Sequence, residues 1–510
     1  MKTSKLAKST LAVVAVAALV VGCDKAADPE PKAPADTAQA TEVQCVSQAQ
    51  DFEPQYIGGY PTKETADAMF EEYDYQAAVQ FYLWGYTYLN ALGMTKGFAE
   101  MGGDERSIYM FDKRVQPQHL YVTANSEVIY TLTRLMDLSK GPVVVEVPPK
   151  GRGHFIGMDE RAYEDSGDLG PDGGKGGKYV VVSNEYKGEL PKGYFPVRAT
   201  YTDQLFYALR TFPGDEGSLE AAVERGKELK WYYLSEAQNP PQNSVVLIGD
   251  RAFSQDWPRD ERAFEWLSEV FNMNKVPPSG LAHMGNMRRL GIEKGKPFNP
   301  DERAKKILKR AAKTAEAMMM SMAFRNRQGV EVYDNRQYVA VYFNHNNDFM
   351  GRSEDGELIY EGVEGRVGTF HQLCGNFKTV VPAKAGTGGM YMMTFKDKDG
   401  EMLMGSNTYR LHVPAKVPVK QFWQIPVYAI GTRSMIDNGQ RSTLGGTDDL
   451  RRNDDGSVDI YFGPEAPKGY EKNWIKTIEG EGWFTMPRLY APLEPILDKT
   501  WRWNDIEKIK

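Results

Sequence analysis

Residues 141–149, Gly141-Pro142-Val143-Val144-Val145-Glu146-Val147-Pro148-Pro149, have the composition of a short apolar β-strand. β-Branched residues favour strands, and the Gly-Pro and Pro-Pro pairs at the two ends are turn signals that stop the strand. Similar strand signals lie at residues 128–132 and 179–182, and a loop rich in Gly and Asp, residues 164–178, precedes the second of these. Short strands at this spacing predict a β-sandwich between residues 120 and 212.

The stretch before this region, residues 65–101, has the periodicity of a helix. Its apolar residues recur at steps of three and four and therefore share one helix face: Tyr75, Ala78, Val79, Tyr82, Tyr86 and Leu89. Gly85 and Gly93 lower the helix propensity inside the stretch. We therefore expect either one long helix or two shorter ones.

Residues 214–327 are predicted to be mainly helical. An apolar face runs through residues 218–233, a short helix is expected at residues 260–271, and a clear start signal is Asn299-Pro300-Asp301-Glu302. This signal places Asn at the N-cap, Pro in the first turn and Glu at the capping-box position. An apolar stripe follows it: Ile307, Leu308, Ala311, Ala315, Met318, Met319 and Met322. We interpret these methionines as core filler.

Strand signals return after Val332. Expected strands cover residues 338–343, 390–395, 401–404 and 457–462, and Lys398-Asp399-Gly400 has the composition of a hairpin turn. This half predicts a second antiparallel β-domain of the sandwich or jelly-roll type. The predicted fold class is therefore multidomain α and β, with a β-sandwich, a helical middle domain and a C-terminal β-sandwich.

The N-terminus has the pattern of an export signal. Lys2, Lys5 and Lys8 precede an apolar run, residues 11–21, that is too short to span a bilayer. Gly22-Cys23 after it resembles the lipobox of bacterial lipoproteins, so we expect Cys23 to be lipidated. Residues 24–41 are rich in Ala, Pro, Asp and Lys and are expected to form a flexible tether.

These signals divide the chain into a signal peptide at 1–22, a lipidated tether at 23–59, an N-terminal β-sandwich domain with a leading helix at 60–213, a helical region at 214–331 and a C-terminal domain at 332–510. We expect the folded body on the periplasmic side of the cell envelope, with the lipid as its membrane contact. Asp24 resembles a signal that retains lipoproteins at the inner membrane of some enterobacteria, and it favours that membrane over the outer one.

The length and charge of the chain limit the kinds of binding partner that we expect. The 510 residues suffice for two or three domains, and the net charge of −7 becomes −10 once the three leader lysines are removed. A mildly acidic chain without a long Lys/Arg block is a poor nucleic-acid binder. Cys45 and Cys374 either pair as a disulfide or stay free, and the sequence leaves both alternatives open, as it leaves the oligomeric state open.

Familiar catalytic motifs are absent from the sequence. It contains no G-x-S-x-G, H-E-x-x-H, Walker A or C-x-x-C pattern, which removes the usual support for serine-hydrolase, zincin, nucleotide-triphosphatase and thioredoxin functions. Because catalytic pairs also assemble from distant positions, one hypothesis is an acid–base hydrolase or lyase. It would use His345 or His371 with Asp348 or Asp159. The alternative for His345 and Asp348 is a polar turn.

The acidic residues between Asp159 and Asp172 offer oxygen ligands for a divalent cation such as Ca²⁺. They lack the spacing of an EF-hand, so we favour a solvated loop. No cofactor is predicted, and a divalent cation is left open.

Aromatic residues are dense in the last ninety positions: Phe422, Trp423, Tyr428, Trp474, Trp483, Tyr490, Trp501 and Trp503. Aromatic faces beside Arg or Asn bind sugars and other ligands that are partly polar and partly apolar. Packing in the core of a large sandwich explains most of these residues equally well.

Two ordered sets of motifs lie along the chain. The first comprises residues 81–86 (Phe-Tyr-Leu-Trp-Gly-Tyr), Ala124-Asn125 leading to Tyr130, residues 137–144 and residues 177–193. The second comprises residues 399–400, 407–412, 422–423, Tyr428, 454–457, 473–474 and 488–490. In this order they resemble the paired bacterial families called domain of unknown function 1254 and domain of unknown function 1214, from about Tyr60 to Lys510.

The resemblance implies an Ig-like β-sandwich, a helical middle region and a C-terminal jelly roll, without a settled reaction. Two positions depart from the family pattern. Gln424 stands where many relatives have Ser after the Phe-Trp pair, and Asp159-Glu160-Arg161 replaces an aromatic–Asp pattern. Either departure is consistent with an altered choice of ligand.

Our leading hypothesis is a lipid-anchored envelope protein whose two β-domains meet around a cleft that binds a polar small molecule, such as a carbohydrate or an aromatic acid. Whether the protein also processes this ligand is left open. Interdomain crevices are favoured ligand sites. The expected lining residues are Asn125, Tyr130, Arg161, Trp423, Tyr428 and Arg488, with aromatic rings stacking on the ligand and arginine pairing with an anionic group. The alternatives are the enzyme above and a membrane-tethered scaffold without a small-molecule site.

Overall fold

The computed structural model describes residues 52–213, 218–327, 331–341, 348–378 and 384–510. Within these ranges the fold is mixed α/β, with seven α-helices and several β-sheets, and residues Gln55–Lys510 form one compact unit. Cys23, Asp24, Cys45 and His345 lie outside the described residues. Lipidation, the tether and the disulfide therefore stay predictions, as do the internal domain boundaries.

The helices have these bounds: α1 Lys63–Glu100, α2 Leu219–Gly226, α3 Arg262–Met273, α4 Leu281–Met287, α5 Glu302–Phe324, α6 Val363–Phe370 and α7 Glu494–Leu497. None of the helices in the described part of the chain is long and apolar enough to cross a membrane. The predicted helix at residues 260–271 is present as α3, and the helix after Asn299 is present as α5.

Helix α1 is one continuous helix, and its glycines serve close packing. A Cβ atom at Gly93 would lie 2.0 Å from the backbone oxygen of Gln255, and one at Gly97 would lie 2.2 Å from that of Ser254. Residues 254–255 therefore approach the helix backbone more closely than any side chain would allow. Gly93, which we took from the sequence as a weak point of the helix, is therefore required by the close contact with residues 254–255.

Two predictions on the helical region need correction. Residues 218–233 form helix α2 followed by a strand at Lys230–Tyr233 instead of one helix, because Trp231 packs into a sheet core. The N-cap of α5 is Asp301 and not Asn299, since the Asp301 side chain accepts a hydrogen bond from the Ala304 backbone N–H at 2.7 Å.

The strands up to Ser254 are β1 Tyr56–Ile57, β2 Tyr60–Pro61, β3 Ile108–Phe111, β4 His119–Leu120, β5 Ile129–Thr133, β6 Met136–Asp137, β7 Val143–Val147, β8 Gly151–Gly157, β9 Ala162–Ser166, β10 Gly177–Ser183, β11 Phe195–Ala199, β12 Gln204–Thr211, β13 Lys230–Tyr233, β14 Val245–Leu247 and β15 Phe253–Ser254. The three strands predicted around residues 128–182 are present as β5, β7 and β10.

The remaining strands are β16 Val339–Ala340, β17 Met350–Arg352, β18 Leu358–Glu361, β19 Gly389–Met393, β20 Tyr409–Val413, β21 Trp423–Ala429, β22 Thr443–Gly445, β23 Val458–Gly463, β24 Trp474–Lys476, β25 Trp483–Thr485, β26 Arg488–Tyr490 and β27 Glu507–Lys508. The strands predicted at residues 390–395 and 457–462 correspond to β19 and β23.

Two sheets share a core in the N-terminal half. Sheet I has the strand order β11-β10-β7-β13, and sheet II has the order β14-β3-β5-β12-β8-β9 with β6 paired to β12. Alternate residues of β7, Val143, Val145 and Val147, face Leu205 and Leu209 of β12 in one buried cluster. The period-2 alternation of strands therefore leaves the other face of sheet II free to meet the rest of the protein.

Two further sheets share a core in the C-terminal half. Sheet III has the order β16-β19-β26-β21-β22 with β25 paired to β21, and sheet IV has the order β24-β23-β20-β27. Ile425 and Leu489 of sheet III pack against Leu411 and Ile460 of sheet IV. Most pairings are antiparallel as predicted, whereas β23 and β24 are parallel.

The outer faces of sheets II and III meet a common helical core. Helices α1, α3, α4, α5 and α6 contribute its apolar side chains, among them Tyr82, Leu267, Met287, Ala311 and Val367. Residues of β5, β12 and β21 belong to the same buried cluster, including Leu132, Ala208 and Tyr428. One core therefore spans all three predicted domains.

Candidate functional site

Strand alternation brings a charged side chain to the outer face of sheet II. Leu205, Tyr207 and Leu209 of β12 pack between sheets I and II, so the next residue in the alternation, Arg210, points to the opposite face. Arg210 is paired in register with Tyr130 of β5. Its guanidinium carbon lies 5.4 Å from the centroid of the Tyr130 ring.

Sheet III presents a matching face. Leu489 of β26 packs between sheets III and IV, so Arg488 and Tyr490 on either side of it point the other way. Tyr391 of β19 is paired in register with Arg488. The guanidinium carbon of Arg488 lies 5.4 Å from the centroid of the Tyr391 ring.

A cavity of about 30 Å³ lies where these two faces meet. A volume of this size holds one or two water molecules or one small anionic group. We call it the arginine–tyrosine cavity, and its lining residues are Tyr121, Val122, Thr123, Ala124, Tyr130, Arg210, Leu373, Cys374, Tyr391, Met486 and Arg488.

Arg488 is held from one side of its guanidinium group. Its Nη2 donates to the backbone oxygen of Thr123 and, at 2.7 Å, to the hydroxyl of Tyr428. Its Nε is buried and has no hydrogen-bond partner among the described residues. The side chain is buried, and no carboxylate of the described ranges forms an ion pair with it.

Arg210 has still fewer partners. Its guanidinium carbon lies 5.4 Å from the ring centroid of Tyr130 and 4.7 Å from that of Phe377. Within the part of the chain that the structure describes, its guanidinium group makes neither a hydrogen bond nor an ion pair. Two guanidinium groups therefore share the cavity without a contacting carboxylate.

The tyrosines around the cavity respond to these charges in different ways. Burial raises the pKa of Tyr121 and Tyr428, and burial together with the charge of Tyr391 raises the pKa of Tyr490. Burial also opposes ionisation of Tyr391, but the charges of Arg210, Arg488 and Arg152 outweigh it and lower the pKa of this tyrosine below 10.0.

Asn125, in the loop before β5, makes hydrogen bonds to the outer faces of both sheet II and sheet III. Its backbone N–H donates to the Tyr130 hydroxyl at 3.0 Å, and its side-chain amide donates to the Tyr490 hydroxyl. The Tyr428 hydroxyl donates to the Ala124 backbone oxygen at 2.7 Å. Asn125 therefore positions the tyrosines and does not line the cavity itself.

A buried polar group lies behind the cavity at Glu160. Its carboxyl oxygens accept hydrogen bonds from the Asn90 amide at 2.9 Å and from the Gly375 N–H at 2.6 Å. Burial raises the pKa of Glu160 to about 8, so the carboxyl group is mostly protonated at neutral pH. The neighbouring Cys374 thiol lines the cavity, and burial raises its pKa well above the ordinary value.

The predicted site residue Arg161 lies in a separate group. Its guanidinium pairs with Glu361 at 3.0 Å and with Asp159 at 3.6 Å, and Glu361 also pairs with Arg366. We call Asp159, Arg161, Glu361 and Arg366 the ion-pair cluster. Two arginines meet two carboxylates there, so Arg161 already has its counter-charges inside the protein.

The predicted site residue Trp423 is also placed elsewhere. It packs between sheets III and IV, where its ring lies 5.9 Å from that of Trp503. Trp423 and Tyr428 are both on β21 and are five positions apart, an odd offset, so they point to opposite faces of the sheet. The structure therefore brings together Asn125, Tyr130, Tyr428 and Arg488, but not Arg161 or Trp423.

Family comparison agrees with the two halves of this site. Residues 106–233 match the family "Protein of unknown function (DUF1254)", and residues 388–494 match "Protein of unknown function (DUF1214)". The two regions match both members of the paired family, in the expected order along the chain. The resemblance inferred from the two ordered sets of motifs is thereby confirmed.

Two solved structures are similar to this chain at low sequence identity. The VPA0106 protein from Vibrio parahaemolyticus is 18% identical with a TM-score of 0.50, and the match covers 86% of this chain and all of that one. An uncharacterised protein from Burkholderia cenocepacia is 14% identical with a TM-score of 0.37, covering 88% of this chain and 97% of its own. At such identities the first match shows the fold alone. No curated protein matches the chain.

The arginine–tyrosine cavity joins the two family regions. Tyr121, Tyr130 and Arg210 belong to the DUF1254 region, and Tyr391 and Arg488 belong to the DUF1214 region. Cys374 comes from the segment between them. Each region supplies one of the two arginines, so both regions contribute to the cavity.

A larger groove of about 420 Å³ also lies between the two regions. Residues 114–118 and Ser126 of the DUF1254 region form one wall, and residues 435–443 of the DUF1214 region contribute to the other. Arg114 and Arg441 in this groove both pair with Glu127. The groove has the size of a small-molecule site, but its arginines are already neutralised.

The predicted catalytic residues are dispersed. His371 is fully buried, with Nε2 3.1 Å from the Met320 sulfur, and its Nδ1 has no partner among the described residues. Burial and the charges of Arg433 and Arg259 lower the pKa of His371 well below 6.5. Asp348 pairs with Arg352. His345 lies outside the described residues, so its pairing with Asp348 stays a prediction.

The acidic loop before β10 is organised by internal hydrogen bonds. Asp172 is buried and accepts hydrogen bonds from the backbone N–H groups of Gly167 and Gly176 and from the Tyr179 hydroxyl. Asp168 pairs with Arg152. In the described ranges, no group of three or more His, Cys, Asp and Glu side chains is arranged to hold a metal ion.

Sequence reasoning missed Arg210 and Tyr391. It noted Gln424 and Glu160 only as departures from the family pattern and gave neither a place in the site. Gln424 lies opposite Arg488 in register, and both polar atoms of its amide are buried without partners within the described residues. The alternation of side chains along a strand could have identified Arg210 as a residue of the outer face, because Leu205, Tyr207 and Leu209 point to the other face. For Tyr391 and Glu160 the sequence carries no comparable signal, since their environments come from distant segments.

Proposed function

We propose that the protein binds a small molecule through a carboxylate or an equivalent anionic group in the arginine–tyrosine cavity. The observation that carries this proposal is the pair of guanidinium groups, buried at Arg488 and partly buried at Arg210, without a contacting carboxylate in the described residues.

Buried charges in proteins are paired, because an isolated charge loses its hydration without compensation. Arginine presents several N–H donors in a planar fork that matches a carboxylate or phosphate group. Within the described residues the guanidinium group of Arg210 makes no hydrogen bond, and Arg488 has unused donors beside its bonds to Thr123, Ala124 and Tyr428. A bound anion would satisfy both groups at once.

The size of the cavity favours one end group of a ligand over a whole ring. About 30 Å³ fits a carboxylate, and the rings of Tyr121, Tyr130 and Tyr391 would flank the atoms attached to it. This arrangement favours an acid, including an aromatic acid, over a neutral carbohydrate.

The test is a thermal-shift comparison on the full-length chain. Formate, acetate and benzoate are compared with formamide, acetamide and benzamide, which have the same shapes without the charge. A ligand at 100 times its dissociation constant adds about 2.7 kcal/mol to the free energy of unfolding. We expect at least one carboxylate, and none of its amides, to raise the melting temperature.

The matched variants are Arg488→Gln, which removes a cavity charge, and Arg327→Gln, which removes an exposed charge paired with Glu364. We expect the carboxylate effect to disappear in the first variant and to persist in the second. Equal shifts with carboxylates and amides, or an unchanged carboxylate effect in Arg488→Gln, would refute the proposal.

Three alternatives remain as proposals. The groove of about 420 Å³ has neutralised arginines and is the better place for a neutral carbohydrate, so a sugar panel in the same assay tests it. An enzyme using His345 with Asp348, and a scaffold without a small-molecule site, have no observation in the described residues that favours them.

A divalent cation is tested by including Ca²⁺ and Mg²⁺ in the thermal-shift assay.

We also propose the finer fold and the location. Sheets I and II would form the Ig-like sandwich of the family, and sheets III and IV its jelly roll. Each pair shares one apolar core, which supports this assignment. The Gly22-Cys23 pattern supports a lipid anchor on the periplasmic side, with Asp24 favouring the inner membrane. Mass spectrometry of the native chain tests whether Cys23 is acylated.

A further inference from the structure

Tyr391 occupies a special position in the arginine–tyrosine cavity. Its ring lies 5.4 Å from the guanidinium carbon of Arg488 and 6.1 Å from the ring of Tyr490. The side chain folds back over Gly389 on the same strand, where an added Cβ would lie 2.9 Å from the Tyr391 hydroxyl. Gly389 therefore leaves the space in which the phenol lies.

Three arginines surround Tyr391. Arg210 faces it from β12, Arg488 from β26 and Arg152 from β8, and the other titratable neighbours are Tyr490 and Tyr428. Arg152 is paired with Asp168 at 2.7 Å, whereas Arg210 and Arg488 have no carboxylate partner among the described residues. Burial would raise the pKa of Tyr391, but the three arginines and a hydrogen bond with Tyr490 hold it below 10.0.

The cavity can acquire negative charge in two ways, from a ligand carboxylate or from the phenolate of Tyr391. Both would interact with the same two guanidinium groups in the same small volume. We propose that Tyr391 takes up one proton when a carboxylate enters the cavity, and that the resulting hydroxyl donates a hydrogen bond to the ligand. This inference rests on the proposed function.

The proton balance is simple. Before binding, at alkaline pH, the Tyr391 oxygen carries a negative charge. On binding, an O–H bond forms on Tyr391 with a proton from solvent, and the ligand carboxylate becomes the counter-charge of Arg210 and Arg488. No bond of the ligand breaks and no electron is transferred.

The sign of the pH dependence follows. A bound carboxylate offsets the field of the arginines and thereby raises the pKa of Tyr391. By linkage, carboxylate affinity is constant at pH values below the pKa of Tyr391 in the empty protein and falls above it, by up to about tenfold per pH unit. Carboxylic acids titrate far below this range, so the charge of an acetate probe is constant.

Glu160 also titrates in this range, because its pKa is about 8. Its ionisation behind Cys374 would oppose anion binding as well. The primary readout must therefore report tyrosine alone. The near-ultraviolet absorbance of tyrosinate meets this condition, because a carboxyl group does not contribute to it.

The experiment adds acetate to the full-length chain just below pH 10 and follows tyrosinate absorbance. We expect a decrease that saturates at the loss of at most one tyrosinate. The decrease should be absent in Tyr391→Phe and present in Tyr60→Phe, since Tyr60 is 79% exposed and does not line the cavity. Calorimetry in two buffers of different ionisation enthalpy should show proton uptake in the parent and less in Tyr391→Phe.

The outcomes separate the two proposals. If acetate binds but the absorbance change is absent, or persists in Tyr391→Phe, the proton-uptake inference is wrong and the binding proposal stands. If no carboxylate binds at any pH, the proposed function itself fails. Should Tyr391→Phe not fold, Gly389→Ala displaces the phenol instead, and an unchanged absorbance response in that variant would overturn the inference.

Discussion

Two regions of this molecule bury a pair of arginines, and they do so differently. In the ion-pair cluster, Arg161 and Arg366 meet Asp159 and Glu361, so positive and negative groups are equal in number. In the arginine–tyrosine cavity, Arg210 and Arg488 meet tyrosine rings and hydroxyls instead of carboxylates. The protein supplies the counter-charges in the first region, and the described residues supply none in the second.

The difference shows how a structural arginine is told from a binding one. Arg161 and Arg488 are both buried and both lie beside a tyrosine ring, at 4.6 Å from Tyr201 and 5.4 Å from Tyr391. Burial and aromatic contact therefore do not separate them. What separates them is whether the protein supplies the counter-charge, because an uncompensated buried charge is costly.

The largest effect is expected when an arginine is replaced by methionine, a substitution that can be made in both regions. Arg161→Met would leave the buried Asp159 without its ion-pair partner and Glu361 with Arg366 alone. Removing one member of a buried ion pair costs about 3–5 kcal/mol, so we expect a loss of that size in the free energy of unfolding. Denaturant titration measures it.

The control for Arg161→Met is Arg327→Gln, because Arg327 pairs with Glu364 at the surface and is 83% exposed. Exposed ion pairs contribute about 0–1 kcal/mol. A loss for Arg161→Met as small as that for Arg327→Gln would show that the ion-pair cluster is not the stabilising group described above.

The next effect concerns Glu160 and is a pH dependence. The pKa of Glu160 is about 8 in the folded protein against an ordinary value of 4.5. Between these values the folded state holds a proton that the unfolded state has released, so stability falls as pH rises through this window. The loss should be on the order of a few kcal/mol, at about 1.4 kcal/mol per pKa unit.

Glu160→Gln should flatten this part of the stability–pH curve. The variant will also be less stable at low pH. Both carboxyl oxygens of Glu160 accept a hydrogen bond, one from the Asn90 amide and one from the Gly375 N–H. In the variant one of these two donors faces the NH₂ group of the glutamine, which cannot accept. If the parent keeps its stability from mildly acidic pH to pH 8, Glu160 is ionised throughout. It would then be a counter-charge for the cavity, and the contrast with the ion-pair cluster would weaken.

The smallest expected change in stability is that of Arg210→Met. Arg210 has neither a hydrogen bond nor an ion pair within the described residues, so its removal leaves no partner unsatisfied. We expect the free energy of unfolding to change by less than about 1 kcal/mol, or to rise, because an uncompensated buried charge is removed. A loss like that of Arg161→Met would mean that Arg210 has a structural counter-charge.

Much of the fold follows from local sequence. The apolar stripe of α5 and the valines of β7 predicted their elements because a single periodicity operates along each of them. The helix prediction for residues 218–233 was wrong because Lys230–Tyr233 joins sheet I by pairing with β7, which lies more than eighty residues away in the sequence. Tertiary pairing of this kind overrides local helix propensity.

The site was predictable only in part. Tyr130, Tyr428 and Arg488 do converge, and Asn125 positions two of the tyrosines. Trp423 could have been excluded beforehand, because it lies five positions from Tyr428 along one strand. Arg161 could not, since its partner Glu361 lies two hundred residues away and no local pattern indicates the pairing.

The most direct test of the central claim is anomalous diffraction from crystals of the protein soaked in bromide and then in bromide with acetate. Bromide is small enough for the cavity and is visible by its anomalous signal. The account predicts a peak between Arg210 and Arg488 that acetate removes, and no peak at the ion-pair cluster. Bromide peaks on the surface with an empty cavity, or a cavity peak that acetate leaves unchanged, would contradict it.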